Sequence, residues 1–200
     1  MPDPSAVRKD ILSARNQLTS NEISLRSEAI HARLLAMEQI QKRQHIFAYV
    51  SFRSEVETLL LIGQLLQLGK TVTVPITRVK EKRLDAIHIT DLTADLEPGY
   101  CNIPEPKEEL CESRLVAPET IETILLPGSV FDERGGRFGY GGGFYDRFVS
   151  KIPNTSRIGL AYDLQIIKKA PLQPHDELLD FVVTESRIIN GERKLRTGKR

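Results

Sequence analysis

Apolar residues recur at two spacings along the chain, and the first of these is helical. Over 5–17 they recur every three or four positions, which predicts a helix. Thr19 is followed three places later by Glu22, the spacing of a capping box, which predicts a second helix reaching about residue 42. The chain is therefore expected to open with a helical hairpin over 1–43.

The rest of the chain alternates between short apolar runs and amphipathic segments. The predicted strands are His45 to Ser51, Thr71 to Pro75, Asp85 to Thr90, Ile121 to Leu126, Arg157 to Tyr162 and Phe181 to Thr184. Helices are predicted over 55–68, where Gly69 ends the pattern, and over 145–152. Pro75 is expected to stop its strand because proline has no backbone N–H. Residues 91–118 show little periodicity and hold several prolines, which predicts a long surface loop with one short element at most.

This alternation of strands and helices predicts the fold class. Continuous apolar strands joined by helices are typical of a mostly parallel sheet covered on both faces. We therefore predict an α/β fold with three αβα layers, in a single catalytic domain over 1–200 on which the hairpin of 1–43 packs. Ligands of such folds bind beyond the carboxyl ends of the strands.

Composition narrows the classes of function. Of the 200 residues, 40% are hydrophobic and 28% charged, and the net charge is +1. So small a charge gives no general attraction to nucleic acid or to an anionic membrane, and no apolar run is long enough to span a bilayer. The first residues lack the apolar core of a signal peptide, and Cys101 and Cys111 form no disulfide framework. We expect a cytoplasmic monomer without nucleic-acid or membrane partners.

Residues 137–147 read RFGYGGGFYDR and are the strongest candidate for chemistry. Glycines permit left-handed backbone angles and close approach of a ligand, and successive free N–H groups form an anion site. Arg137 and Arg147 can neutralise phosphate charge, and Asp146 can bind a divalent cation. The run is not a Walker A loop, and Phe144 stands where a GxGxxG fingerprint needs its third glycine. It predicts a phosphate cradle with a metal ligand, although such loops also occur purely as turns.

The wider segment 126–147, LPGSVFDERGGRFGYGGGFYDR, resembles the signature of the 5-formyltetrahydrofolate cyclo-ligase family, also called methenyltetrahydrofolate synthetases. Further matches follow in order along nearly the whole chain. These are RNQLTSNE after an opening helix with a basic residue, SFRSEVET followed by GKTVTVP, then NIPEP, and finally LLDFVVTE. The glycine segment is highly specific, whereas each of the other matches is weak by itself.

The resemblance implies a NagB/RpiA/CoA-transferase-like fold and an ATP- and Mg²⁺-dependent enzyme that acts on a reduced folate. The formyl oxygen on N5 of 5-formyltetrahydrofolate is phosphorylated and N10 then attacks. Phosphate leaves, and 5,10-methenyltetrahydrofolate forms together with ADP. Such a phosphoryl transfer needs charge neutralisation and alignment more than a protein nucleophile.

The resemblance also implies roles for individual residues. The implied ATP-binding residues are Arg8, Lys9, Arg137, Phe138, Gly139, Tyr140, Gly141, Gly142, Gly143, Phe144 and Tyr145. The implied substrate-binding residues are Phe52, Glu57, Tyr140, Gly141, Gly142, Gly143 and Phe144. The implied catalytic residues are Arg137, Tyr145 and Asp146, and the implied metal ligands are Asp146 and Asp180.

Other interpretations of these residues stay open. Ser54 and Glu57 have capping-box spacing, so Glu57 is also a candidate helix cap. The basic residues of 78–83 suit a glutamate tail of the substrate, but a solvated loop is the commoner role of such a run. A non-catalytic nucleotide-binding module would keep the same fold and cradle. A sugar-phosphate isomerase or CoA-transferase relative would need a base or nucleophile of its own, and none is evident.

Overall fold

A computed structural model describes residues 3–170, 172 and 178–193 of the chain. The helices are α1 (Pro4–Arg15), α2 (Ser20–Leu35), α3 (Glu38–Gln41), α4 (Leu59–Gln67), α5 (Leu92–Asp95), α6 (Glu108–Cys111) and α7 (Phe144–Val149). The strands are β1 (His45–Phe47), β2 (Thr71–Arg78), β3 (Arg83–Ile89), β4 (Leu96–Pro98), β5 (Pro104–Pro106), β6 (Leu115–Val116), β7 (Thr123–Leu126), β8 (Val130–Asp132), β9 (Arg137–Phe138), β10 (Ser156–Leu160), β11 (Ile166–Ile167), β12 (Phe181–Val183) and β13 (Ile188–Asn190).

The central sheet has the strand order β13-β12-β10-β7-β1-β2-β3-β6 in the described part of the chain. β1 pairs in parallel with β2 and β7, and β10 pairs in parallel with β7 and β12. The strands towards the two edges, β13 on one side and β3 and β6 on the other, pair antiparallel. This mostly parallel sheet confirms the predicted α/β fold class.

Consecutive residues of β1 show how the layers are built. Ile46 lies in a core cluster with Leu34 of α2 and Leu61 of α4, whereas Phe47 lies in a second cluster with Phe148 of α7. Each of these side chains is at most 3% exposed. Because side chains of a strand alternate between its faces, α2 and α4 cover one face of the sheet and α7 covers the other.

The N-terminal helices follow the sequence pattern, except that α2 ends at Leu35 and the separate α3 covers Glu38–Gln41, where a single helix to about residue 42 was predicted. The predicted capping box at the start of α2 is confirmed, because Thr19 Oγ1 accepts from Glu22 N at 3.2 Å and Glu22 Oε2 accepts from Thr19 N at 2.9 Å. Ile30 and Leu34 of α2 are fully buried against the sheet. The division of the chain into domains stays a prediction. Among the described residues, no helix combines the length and apolar character needed to cross a bilayer.

The prediction that Pro75 stops its strand was wrong, because β2 continues to Arg78. Thr73 directs its backbone towards β1, where its carbonyl accepts from Ala48 N at 2.9 Å. Pro75 points the same way two residues later, but the pairing of β1 with β2 has ended at Phe47 and Thr73. Proline is tolerated where the ladder needs no N–H.

The prediction of a loop over 91–118 was also wrong, since α5, β4, β5, α6 and β6 occupy it and β4 pairs with β5. The carboxylate of Glu105 organises this segment. Its Oε1 accepts from Thr77 N at 2.9 Å, and its Oε2 accepts from Tyr100 N at 3.0 Å. The hydrogen bonds of one buried carboxyl side chain therefore stabilise the backbone of this segment, which the spacing of apolar residues does not reveal.

Candidate functional site

The glycine loop, residues 139–143, lies beyond the carboxyl end of β7, the strand near the middle of the sheet. β7 ends at Leu126, and β8 and β9, which form a small sheet with β11, then carry the chain to the loop. The loop follows β9 directly and leads into α7. This edge is where ligands bind in parallel α/β folds.

Asp132 holds the turn between β8 and β9 that directs Arg137. Its carboxylate is fully buried and accepts from the backbone N–H groups of Arg134, Gly136 and Ala170 at 2.9, 2.7 and 2.8 Å. Burial opposes ionisation of this carboxyl, but the Ala170, Arg134 and Gly136 hydrogen bonds outweigh it and lower the pKa of Asp132. An ionised carboxylate thus fixes the entry to the glycine loop.

At three positions of the loop the backbone conformation or the packing favours glycine. Gly141 and Gly143 have φ angles of 95° and 63°, the left-handed region that favours glycine. A Cβ on Gly142 would lie 2.9 Å from the ring of Phe144. The helix that follows has only 6 residues, so loop N–H groups and nearby side chains, more than a helix dipole, would attract an anion here.

Arg137 and Asp146 form a close ion pair at the base of the loop. Nη2 of Arg137 donates to Oδ1 of Asp146 at 2.5 Å, and Nη1 donates to the carbonyl of Pro127 at 3.1 Å. Arg137 is only 4% exposed, and its Nε is buried without a hydrogen-bond partner. The structure therefore brings together two of the predicted catalytic residues and leaves one buried donor for a further acceptor.

Tyr145, the third predicted catalytic residue, follows the loop in α7. Burial and the negative charge of Glu55 raise the pKa of Tyr145, while Arg137 acts in the opposite direction. The phenol is therefore neutral at physiological pH and suited to donating a hydrogen bond.

A second polar cluster, formed by Arg15, Glu55 and Tyr140, lies on the other side of the loop. Arg15 and Glu55 are only 1% and 5% exposed. Arg15 donates to Tyr140 Oη at 2.5 Å and to Ser54 Oγ at 3.1 Å, and Tyr140 also interacts with the Glu55 carboxylate. Burial raises the pKa of Glu55, against the Phe52 N–H and Arg15, which lower it.

Arg15 and Glu55 were not predicted as site residues from the sequence. Arg15 ends α1 and resembles a solvated basic residue at a helix C-terminus, while Glu55 was assigned to the predicted helix of 55–68. That helix starts only at Leu59, so Glu55 lies in a loop in which its carboxylate accepts from Phe52 N at 2.9 Å. The available signal was the pair of carboxylates in SEVET, which spacing alone does not rank.

The structure does not bring Glu57, the predicted folate contact, into this cluster. Glu57 is exposed; its carbonyl accepts from His31 Nε2 at 2.6 Å, and its N–H donates to Ser27 Oγ at 3.0 Å. The capping alternative is not formed either, because Ser54 bonds Arg15 and Asn16 and α4 lacks a side-chain cap. Of the two carboxylates in this segment, Glu55 is therefore the one directed towards the glycine loop.

The remaining predicted nucleotide and substrate residues differ in their contacts. The guanidinium carbon of Arg8 lies 5.4 Å from the centroid of the Phe138 ring, and Arg8 Nε is buried without a hydrogen-bond partner. Lys9 is exposed on α1. Phe52 is half-buried, with the Arg53 guanidinium 4.7 Å from its ring centroid. Arg8 thus joins the arginine side of the loop, whereas Phe52 belongs to the Glu55 side.

Asp180, the second predicted metal ligand, lies at the opposite edge of the sheet. It precedes β12, whose first residues pair with β10 at its amino end, whereas Asp146 follows the loop at the carboxyl ends. Asp180 Oδ2 accepts from Arg193 Nη1 at 2.6 Å and from Arg157 N at 2.8 Å. The structure therefore separates the two predicted ligands. Among the described residues no group of three or more His, Cys, Asp or Glu is arranged to hold a metal.

The basic residues of the β2–β3 turn are used in two ways. Arg78 bonds Asp85 and Glu108, and Arg83 also bonds Asp85. Lys80 and Lys82 are exposed. The arginines are therefore engaged within the fold, which favours the solvated-turn interpretation for this run.

Comparisons with known proteins identify the family of the chain. The model of the 5-formyltetrahydrofolate cyclo-ligase family matches residues 1–185. A probable 5-formyltetrahydrofolate cyclo-ligase of Caenorhabditis elegans is 30% identical over 195 residues, covering 92% of this chain and 94% of the relative. The 5-formyltetrahydrofolate cyclo-ligase of Escherichia coli K12 is 29% identical over 185 residues, covering 89% of this chain and 98% of the relative.

A solved structure supports the same conclusion at the level of the fold. The NMR structure of Aquifex aeolicus 5,10-methenyltetrahydrofolate synthetase superimposes with a TM-score of 0.81 at 28% identity, covering 98% of this chain and 95% of that one. Because the family match and the structural match both span most of the sequence, this chain belongs to the 5-formyltetrahydrofolate cyclo-ligase family of enzymes.

Proposed function

We propose that the protein converts 5-formyltetrahydrofolate to 5,10-methenyltetrahydrofolate, using ATP and Mg²⁺ and releasing ADP and phosphate. Membership of the family supports the folate substrate, and the relatives' names give the product. The side chains on the two sides of the glycine loop support separate binding sites for the nucleotide and for the folate.

One observation carries this proposal. The glycine loop joins two buried polar groups of side chains. On one side Arg137, paired with Asp146, and Arg8 each keep a buried Nε without a hydrogen-bond partner, and on the other side Glu55 is buried beside Arg15 and Tyr140. Tyr145 responds to both, since Glu55 raises and Arg137 lowers its pKa. A site that places a triphosphate next to a ring rich in N–H groups needs free cationic donors for the phosphates and a carboxylate acceptor for the ring, and this loop has both nearby.

Glu55 is the group that we assign to the pterin ring. A pterin presents adjacent N–H donors, and a carboxylate with two oxygens matches them with paired hydrogen bonds. Burial raises the pKa of Glu55, because the ionised carboxylate is poorly solvated there. The N–H donors of a ligand would stabilise the ionised form. The half-buried ring of Phe52 offers an apolar surface beside it.

Arg137 and the loop N–H groups are the groups that we assign to the phosphates of ATP. The unpartnered Nε atoms of Arg137 and Arg8 fit an additional acceptor on this side. Phosphoryl transfer depends on positioning and on neutralising charge at the transferred group, which a preformed arginine and a glycine loop supply.

Asp146 fits a role as the single protein ligand of Mg²⁺. Magnesium usually keeps several waters and is held by one or two carboxylates together with substrate phosphates, so one carboxylate beside a phosphate cradle suffices. When bound, the ion would neutralise charge on the transferred phosphoryl group. In the free protein, Arg137 orients Asp146 through their 2.5 Å contact.

The chemistry is then arranged around the loop. The formyl oxygen attacks the γ-phosphorus of ATP and ADP leaves; N10 attacks the activated formyl carbon, and the oxygen departs with phosphate while N10 loses its proton. Tyr145, kept neutral by burial, is suited to hydrogen-bond one of the reacting oxygens. The left-handed backbone at Gly141 and Gly143 gives the loop a defined path, along which it would orient the two substrates for in-line transfer.

The surroundings of the reaction are proposed as well. We propose a cytoplasmic monomer without nucleic-acid or membrane partners. The small net charge of +1 and the free cysteines Cys101 and Cys111 support this assignment.

A continuous absorbance assay tests the proposal. Purified protein with 5-formyltetrahydrofolate, ATP and Mg²⁺ should generate the near-ultraviolet band of the methenyl product. Omission of ATP or of Mg²⁺ should abolish the band, and so should 5-methyltetrahydrofolate, which lacks the oxygen that accepts the phosphoryl group. Binding of ATP without growth of the band would instead favour a non-catalytic nucleotide-binding module.

A further inference from the structure

Arg147 bonds two backbone carbonyls that belong to separate parts of the chain. Its Nε donates to the carbonyl oxygen of Lys82 at 2.7 Å, and its Nη2 donates to that of Gly142 at 2.7 Å. Lys82 closes the β2–β3 turn, where its N–H bonds the carbonyl of Val79 and its φ is 52°. One side chain therefore ties the glycine loop to the β2–β3 turn.

The sequence next to Arg147 suits this arrangement. A Cβ on Gly143, four residues earlier, would lie 2.9 Å from Nη1 of Arg147. The guanidinium carbon lies 5.4 Å from the centroid of the Phe144 ring. The guanidinium thus folds back over a residue that has no side chain and lies beside an aromatic ring, which fixes its direction.

This geometry gives Arg147 a different role from Arg137. Arg137 lies at the base of the loop and keeps a buried Nε without a hydrogen-bond partner, whereas Nε and Nη2 of Arg147 are already engaged with carbonyls. Tyr140 ties the other side of the loop to Arg15. The loop is therefore held on both sides, by a tyrosine and by an arginine.

We propose that Arg147 is a positioning residue that fixes the glycine loop in its phosphate-binding shape. It acts through two hydrogen bonds to backbone carbonyls, not through its charge on the phosphates. The role in catalysis rests on the function proposed above, whereas the tie between loop and turn does not. Two separated carbonyls need the planar fork of arginine, since a lysine ammonium is a single point donor.

Hydrogen–deuterium exchange of the ligand-free full chain, followed by mass spectrometry, tests the tie directly. Arg147→Lys keeps the charge and Arg147→Met keeps the apolar stem. Both should speed exchange in peptides that cover 139–147 and 79–83 by about tenfold, while exchange in β7 and β10 stays unchanged. Lys151→Met removes one positive charge four residues further on and serves as the matched control.

Kinetics with ATP and Mg²⁺ then separate positioning from charge. If Arg147 positions the loop, both variants raise the KM for ATP by about tenfold, and the Lys variant gives no rescue. Full activity of Arg147→Lys with loss in Arg147→Met would overturn the proposal in favour of a charge effect. Unchanged exchange in both segments would overturn it as well. Absence of turnover in the wild type would contradict the proposed function and leave the exchange result to decide the tie.

Discussion

The hydroxyl of Tyr140 accepts a hydrogen bond of 2.5 Å from Nη2 of Arg15, a residue 125 positions earlier in the sequence. Arg15 is almost fully buried and also bonds Ser54 and the carbonyl of Gly128. One arginine therefore connects the N-terminal helix, the loop that carries Glu55, and the glycine loop. The part of the site that we propose to bind folate is therefore formed by tertiary contacts between distant segments of the chain.

Tyr140→Phe should weaken substrate binding without unfolding the protein. The change removes the acceptor of the Arg15 bond, so the KM for 5-formyltetrahydrofolate should rise about tenfold, while the melting temperature changes by less than about 3 °C. Tyr100→Phe is the matched control, since Tyr140 and Tyr100 are 49% and 48% exposed. Equal KM values for wild type and Tyr140→Phe would contradict the role given to this hydroxyl.

Glu55→Gln should abolish most folate binding and yet stabilise the protein at neutral pH. Burial raises the pKa of Glu55 above its ordinary value of 4.5, so the folded state takes up a proton more readily than the unfolded state. The destabilisation by ionised Glu55 is absent below about pH 4.5, grows as pH rises through the unfolded value, and is complete above the folded pKa. Replacement of a buried functional charge commonly raises the free energy of unfolding and lowers activity.

Thermal unfolding followed by circular dichroism measures this effect. Wild type and Glu55→Gln should melt alike near pH 4, and the variant should melt higher at pH 8, by about 2–4 °C for each kcal/mol gained. Glu57→Gln is the matched control, since Glu57 is exposed and should show no such pH-dependent difference. A lower melting temperature of Glu55→Gln at pH 8 would show that the carboxylate supports the fold.

The predictable part of this structure is local in sequence. The Thr19–Glu22 capping box, the apolar strands and the glycine segment all depend on residues a few positions apart, and each was visible as a pattern. The sheet followed from the alternation of these elements. The rule that proline ends a strand is also local, because proline has no N–H to donate. It does not hold at Pro75, because the neighbouring β1 no longer pairs with β2 at that position.

The rest depends on contacts between distant residues. Arg15 has the pattern of a solvated helix end, and only the chain fold brings Tyr140 to it. Asp180 resembles a ligand by sequence, but the direction of β12 places it at the far edge of the sheet, where Arg193 pairs with it. Glu57 was predicted as a folate contact, and the structure shows that Glu57 is exposed whereas Glu55 is buried. The sequence does not reveal this difference, because the two carboxylates have the same local chemistry.

Asp146→Ala should remove most activity while the protein stays folded. The change deletes the carboxylate proposed to hold Mg²⁺ and frees Nη2 of Arg137, so kcat should fall on the order of a hundredfold. Steady-state kinetics over a range of Mg²⁺ concentrations provide the measurement, with circular dichroism as the check on folding. Turnover close to that of the wild type would show that Asp146 is not a metal ligand.

Asp180→Ala should lower stability and leave the dependence on Mg²⁺ unchanged. Arg193, whose side chain is 7% exposed, would lose its carboxylate partner, and loss of one member of a buried pair costs about 3 kcal/mol. The backbone N–H of Arg157 would lose an acceptor as well. Thermal melting and the Mg²⁺ concentration for half-maximal rate, measured on the same preparation, distinguish a structural aspartate from a ligand. A large increase in that concentration at an unchanged melting temperature would restore Asp180 to the metal site, despite its place at the amino ends of the strands.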